Sequence, residues 1–179
     1  MLKPDNSKNL LILIDGHAIV HRSFHAIQRP LTISKTGEDV RGVYGFINAF
    51  IKSINEWAPT HVAITFDLPK PTFRHKMFDE YKAHRPPMPP ELRGQFDRVR
   101  ELMNAFNVPI YELEGFEADD LLGTLSKQAE LENLNTVILT GDSDTLQLVT
   151  DKTHVYMTTG KQNKSLYDIE AVKKRFDGL

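Results

Sequence analysis

Apolar positions along this chain follow two rhythms. A short continuous aliphatic run at residues 10–14, and short, mainly apolar stretches at 61–66, 108–113 and 136–140, read as strands, the first of them covered on both faces. Between them, apolar residues recur three or four apart, the spacing of a helix with one buried side. Over 42–57 these are Val43, Phe46, Ile47, Phe50, Ile51 and Ile54; over 91–106 they are Leu92, Phe96, Val99, Leu102, Met103 and Phe106. Over 117–134 they are Leu121, Leu122, Leu125 and Ala129. A mixed stretch at 17–27 also reads as helix, and Ala58-Pro59 stops the helix before it. Residues 29–41, with Pro30 and Gly37, read as a loop or short hairpin. A fifth, peripheral strand is predicted at 154–157, then a last helix from an N-cap at Asp168 to Phe176, with Gly178 at its end. Strands alternating with helices predict an α/β fold: a mainly parallel, twisted sheet with helices on both faces.

Residues 68–90 break both rhythms. They hold prolines at 69, 71, 86, 87, 89 and 90, little aliphatic material, and the cations Lys70, Arg74, Lys76, Lys82 and Arg85 beside His75 and His84. This is read as a basic excursion from the core, helical around 73–83. Interleaved Phe73, Phe78 and Tyr81 suit unstacked bases and a phosphate backbone.

Acidic residues follow the strand-like runs. Asp15 comes after the first, Asp67 after the second, and Asp142 with Asp144 after the fourth. Glu117, Asp119 and Asp120 open the helix that follows the third. An acidic first turn is favoured by the helix dipole alone, and a single Asp after a strand is commonly a cap. Four acidic sites at corresponding positions are a different matter. In a parallel sheet they gather beyond the carboxyl ends of the strands, at one edge. Seven carboxylates there repel unless cations are interleaved, and hard, oxygen-seeking Mg²⁺ or Mn²⁺ fits best. The number of acids suggests two ions, as in phosphodiester hydrolysis.

Composition narrows the field. The 179 residues make one domain with a substantial core. A net charge of -2 gives no global basic excess, so a nucleic-acid partner must be met by local patches. With no cysteine, disulfides and thiolate chemistry are excluded, which fits a reducing cytoplasm. No histidine pair is read at ligand spacing, so zinc is not expected. No apolar run approaches membrane-spanning length, and no signal-peptide core precedes Leu10.

Several motifs occur in order: Asp15-Gly16-His17, Arg22-Ser23-Phe24-His25-Ala26, Val43-Tyr44-Gly45-Phe46, Phe73-Arg74, Tyr81-Lys82-Ala83-His84-Arg85, Glu117-Ala118-Asp119-Asp120 and Gly141-Asp142-Ser143-Asp144. Together they resemble the 5′-nuclease domains at the N-terminus of bacterial DNA polymerase I, within the flap endonucleases and their PIN-like core. The resemblance covers nearly all of residues 1–179, with the basic arch at about 68–95. It implies a metal-dependent 5′-3′ exonuclease and flap endonuclease of replication and repair. Its substrates would be DNA with a 5′ flap or nick and RNA primers, and it would work as a monomer in the bacterial cytoplasm, near the nucleoid. By the same resemblance Asp15, Asp67 and Glu117 hold a first metal, Asp119 lies between the sites, Asp142 and Asp144 hold a second, and Asp120 is close by or in the outer shell. Lys82 and Arg85 would steady the scissile phosphate. Arg22, Phe24 and Tyr44 would lie near the DNA junction, with Arg74 and Tyr81 on the 5′ strand.

Relatives carry Tyr where this chain has His21. They also continue into a Gly-Asp-x-x-Asp-Asn segment and a helix-hairpin-helix region, and into a polymerase in the parent protein. The expectation for these residues alone is an incomplete second metal site and low activity. Two other readings stand beside this one. A haloacid-dehalogenase-type phosphatase would need a second Asp where His17 stands. A non-catalytic nucleic-acid-binding piece would need only the basic arch.

Overall fold

A computed structural model describes residues 9–159 and 163–176. The aliphatic run at the chain's start becomes β1 (Leu10–Asp15), the middle of a six-stranded sheet. Parallel partners flank it: β2 (His61–Thr65) on one side and β4 (Asn135–Thr140) on the other. Beyond β2 lies the two-residue β3 (Ile110–Tyr111), and beyond β4 lie β5 (Thr153–Thr159) and β6 (Asn163–Tyr167). Only the β5–β6 pair is antiparallel.

Alternation along β1 and β4 sorts their side chains between two cores, as a strand's two-residue period requires. Ile12, Ile14, Val137 and Leu139 face one side. There they meet α1 (Gly16–Ala26), α2 (Arg41–Trp57) and α4 (Pro90–Ala105) through Ile19, Phe46, Phe96, Val99 and Met103. Leu13 and Ile138 face the other side. Leu122 of α5 (Ala118–Leu131) covers them, with Leu146 from the 3-10 helix Ser143–Leu148 and Val172 from α6 (Ile169–Arg175). Helices therefore cover both faces, and among the described residues none is long and apolar enough to cross a membrane.

Several boundaries shift from the sequence reading. The third strand shrinks from six residues to Ile110–Tyr111, because it pairs at one edge only through Ile64 and Thr65. The fifth strand is not peripheral: Val155, Tyr156 and Met157 are buried between β4 and β6. The true edge, β6, went unread because Asn-Lys-Ser-Leu-Tyr carries little apolar signal. Ile51, predicted in the core, is exposed. Residues 29–41 do form a small hairpin-like bridge, Thr32 to Asp39. In the excursion only α3 (Phe73–Met77) is helical. Within the stretch read as arch, Pro90 opens α4, and Leu92 and Gln95 are buried. Asp168 does cap α6, accepting from the Ala171 amide at 2.8 Å, while Gly178 lies outside the described residues.

Candidate active site

The carboxyl ends of β1, β2 and β4 and the start of α5 meet at one cleft of about 500 Å³. Asp15 ends β1 and caps α1, accepting from the Ala18 amide at 2.9 Å. Gly16 follows because nothing larger fits: an added Cβ would lie 2.5 Å from the buried Phe66 ring. The other Asp15 oxygen accepts from the Thr140 hydroxyl at 2.7 Å. That same hydroxyl oxygen accepts from the Asp142 amide at 3.0 Å, so Thr140 ties the ends of β1 and β4 together. Asp142 caps the 3-10 helix through the Asp144 amide at 2.9 Å. Asp67, just past β2, accepts from the Ala118 amide at 2.6 Å and anchors the start of α5. This puts Glu117 and Asp119 beside Asp15.

Asp15, Asp67, Glu117, Asp119, Asp142 and Asp144 all line the cleft, and Tyr81, Lys82 and Arg85 of the arch face them. The arch is tied down there. Lys82 Nζ donates to Glu117 Oε1 at 2.7 Å, and the Tyr81 hydroxyl donates to Oε2 at 2.9 Å. Lys82 takes a left-handed backbone conformation to reach it, with φ of 58°.

Two predicted residues sit elsewhere. Asp120 points off the cleft. Its oxygens accept from both terminal nitrogens of Arg74 at 2.7 Å, and Oδ2 also accepts from the Glu117 amide at 3.0 Å. A metal ligand there would first have to break a bidentate ion pair. Phe24 is only 5% exposed, packed in the core under the Arg41 guanidinium, 3.9 Å from its ring centroid. Its ring is not available to a base, because α1 turns it inward against the sheet. Tyr44 is exposed on α2, and Arg22 lies against Gly141, whose Cβ would come 3.2 Å from its Cδ.

Electrostatics record the crowding. Burial, then the charges of Asp67 and Asp142, push Asp15 up to about 6, against the hydrogen bonds from Ala18 and Thr140. Burial, then Asp15, Asp142, Asp67 and Glu117, push Asp119 up to about 7. Glu117 goes the other way. Burial raises it, but the hydrogen bonds and charges of Lys82, Tyr81 and Arg74 leave it below the usual carboxylate value. Among the described residues no three acids or imidazoles close on one point at ligand distance. The oxygens that would do so are held by Lys82, Tyr81, Thr140 and backbone amides. An all-oxygen donor set that is under-neutralised wherever the arch does not reach it fits a hard divalent cation.

Sequence reasoning missed Thr140 and the histidines. Only its place beside Gly141-Asp142 could have flagged Thr140. His17 stands 3.6 Å from Asp67 and stacks on Phe96 at 4.6 Å. His17, His21 and His25 stand four residues apart on α1, so a histidine pair at ligand spacing is present after all.

Residues 10–177 match the family model described as the 5′-3′ exonuclease, N-terminal resolvase-like domain. The chain belongs to that family. Among relatives of the 5′-3′ exonuclease domain, DNA polymerase I of Chloroflexus aurantiacus is 44% identical over 173 residues, and that of Bacillus subtilis 41% over 167. These matches cover 95% and 93% of this chain but 18% and 19% of the relatives, so the chain spans about a fifth of their length. Among solved structures, the T5 D15 protein co-crystallised with metal ions superposes with a TM-score of 0.70 at 18% identity. That match covers 94% of this chain and 61% of the other. Flap endonuclease-1 from Methanococcus jannaschii gives 0.59 at 17%, covering 95% and 60%. Both share the fold, a mostly parallel six-stranded sheet with helices, PIN-like in its neighbours.

Proposed function

We propose that this domain hydrolyses phosphodiesters at 5′ flaps and nicks in DNA, and at RNA primers, with Mg²⁺ or Mn²⁺. The observation that carries the reading is the meeting of six carboxylates and two arch cations in one cleft, in a chain of the 5′-3′ exonuclease family. Asp15, Asp67, Glu117 and Asp119 would hold one ion; Asp119, Asp142 and Asp144 would contribute to a second. Bound there, such ions supply a hydroxide-like water and stabilise charge on the attacking and leaving oxygens.

The chain's own residues do the rest. Asp15 and Asp119, driven toward protonation by burial and by neighbouring carboxylates, would become usable ligands only as they lose those protons. Glu117 is held by Lys82 and Tyr81, and would have to give up those hydrogen bonds to serve as a ligand, leaving both arch groups able to turn toward substrate. Lys82 and Arg85 then bind the scissile phosphate where its charge grows. Thr140 keeps Asp15 and Asp142 in register. Tyr44 and Arg22 are proposed to meet duplex near the junction. A metal-ion complex of the T5 D15 protein, a neighbour in fold, supports the cation requirement.

The test is a labelled 5′-flap duplex with Mn²⁺, using Asp119→Ala as control. Cleavage that needs the metal and vanishes in the control is expected. Binding without cleavage would favour a flap-sensing role, and turnover of a small phosphomonoester alone would overturn both.

A further inference from the structure

We propose that His21 and His25 form a chelating site for a divalent transition ion that prefers imidazole, such as Zn²⁺, Ni²⁺ or Cu²⁺, at the rim of the cleft and separate from its carboxylates. The two residues stand one helical turn apart on α1, and their ring centroids are 4.5 Å apart with the planes 51° from each other. That is the arrangement in which two imidazoles on one helix face can share an ion. Both side chains are exposed, and neither ring makes a hydrogen bond within the described residues, so their nitrogens are open to a ligand.

The helix beneath is fixed. Val20 and Phe24 are buried, and the Phe24 ring meets His25 edge-on at 5.2 Å. The backbone that carries the pair is therefore held in place before an ion arrives, and only side-chain rotamers remain to be ordered on binding. Partial burial of the otherwise exposed ring, then the charges of His25, His17 and Arg85, keep His21 below the usual histidine value. Arg85 also repels a cation, which weakens the binding of any divalent ion here. No third side chain closes on the pair among the described residues, and water would complete the shell. The chemistry separates two classes of ion. Carboxylates in the cleft suit hard cations, whereas paired imidazoles suit zinc, nickel and copper.

This site does not depend on the nuclease reading. The test is calorimetric titration of the chain with Zn²⁺ in a large excess of Mg²⁺, which occupies the carboxylates, alongside His25→Ala. One Zn²⁺ per chain is expected, weakened at least roughly tenfold in the variant. The unfolding curve of His25→Ala without zinc should match the parent. With Ni²⁺ as the probe, proton resonances of the His21 and His25 rings should broaden first. Zinc affinity unchanged in His25→Ala, or no binding at all once Mg²⁺ is in excess, would overturn the proposal.

Discussion

Asp119 carries the sharpest single-residue conflict in the molecule. Its carboxyl is pushed from the ordinary 3.8 to about 7 by burial and four neighbouring acids. An acid whose folded value lies above its unfolded value makes the folded protein hold extra protons in between. This carboxyl's contribution to the stability of the metal-free protein is then fully present below about pH 4 and is lost as pH rises toward 7. Asp15, raised to about 6, acts in the same window. Asp119→Asn removes one of the repelling charges. In chelator at pH 7.5 it should gain up to about 4 kcal/mol, a bound set by about 1.4 kcal/mol per pKa unit. Cleavage should fall by roughly two orders of magnitude or more, beyond the upper end for loss of a group that merely supports a ligand. Urea unfolding at pH 5 and 7.5 checks the first; a variant no more stable than its parent at the higher pH would refute it. Gly16 sits next to the same cleft under an opposite pressure, sterics. Gly16→Ala drives a methyl to 2.5 Å from Phe66 and 2.9 Å from Ile64, both fully packed, and should cost about 1–3 kcal/mol in the same assay.

Elements explain what could be read in advance and what could not. The four main strands and the helices α2, α4 and α5 were legible because each buries a periodic apolar face, and the acids at their ends were legible because a parallel sheet gathers its carboxyl termini. Phe24 was not legible: its motif suggested a surface role, yet α1 turns that position toward the sheet, and only packing decides this. The separate surroundings of Asp119 and Asp120 could not be read, because two adjacent acids at a helix start look alike in sequence, whereas successive helix positions point about 100° apart. The start of α2 depends on a long-range contact no local pattern reveals. It has no side-chain cap of its own. Instead Gln95, buried on α4, accepts from the Gly42 and Val43 amides at 2.6 and 3.3 Å. Gln95→Leu keeps the bulk and removes the acceptor. It should destabilise the fold by about 1–3 kcal/mol, because two amides lose their partner away from water. Equal stability by denaturant titration would mean water takes the place of the Gln95 oxygen.

At the scale of the whole molecule, the arch and the core are joined at a place where a metal ion would compete. Lys82 and Tyr81 occupy both Glu117 oxygens, and Arg74 holds Asp120 one turn on. The pairs are only partly shielded from solvent, so each contributes on the order of 1 kcal/mol. A cation bound by the folded state alone stabilises it by about 2.7 kcal/mol at a hundred times its Kd. Binding therefore outweighs the arch contact, and Mg²⁺ or Mn²⁺ should raise the melting temperature while loosening residues 78–87 from α5. The two effects have opposite signs in two assays. Thermal unfolding should report a more stable domain. Limited trypsin digestion should cut faster after Lys76 and Lys82 when the metal is present. Lys82→Ala should lose about 1 kcal/mol in chelator and match the parent when metal is saturating, because the contact it lacks is one that metal already displaces. An arch equally protected from trypsin with and without metal would show that Glu117 keeps Lys82 throughout, and that the arch does not open when the cation enters.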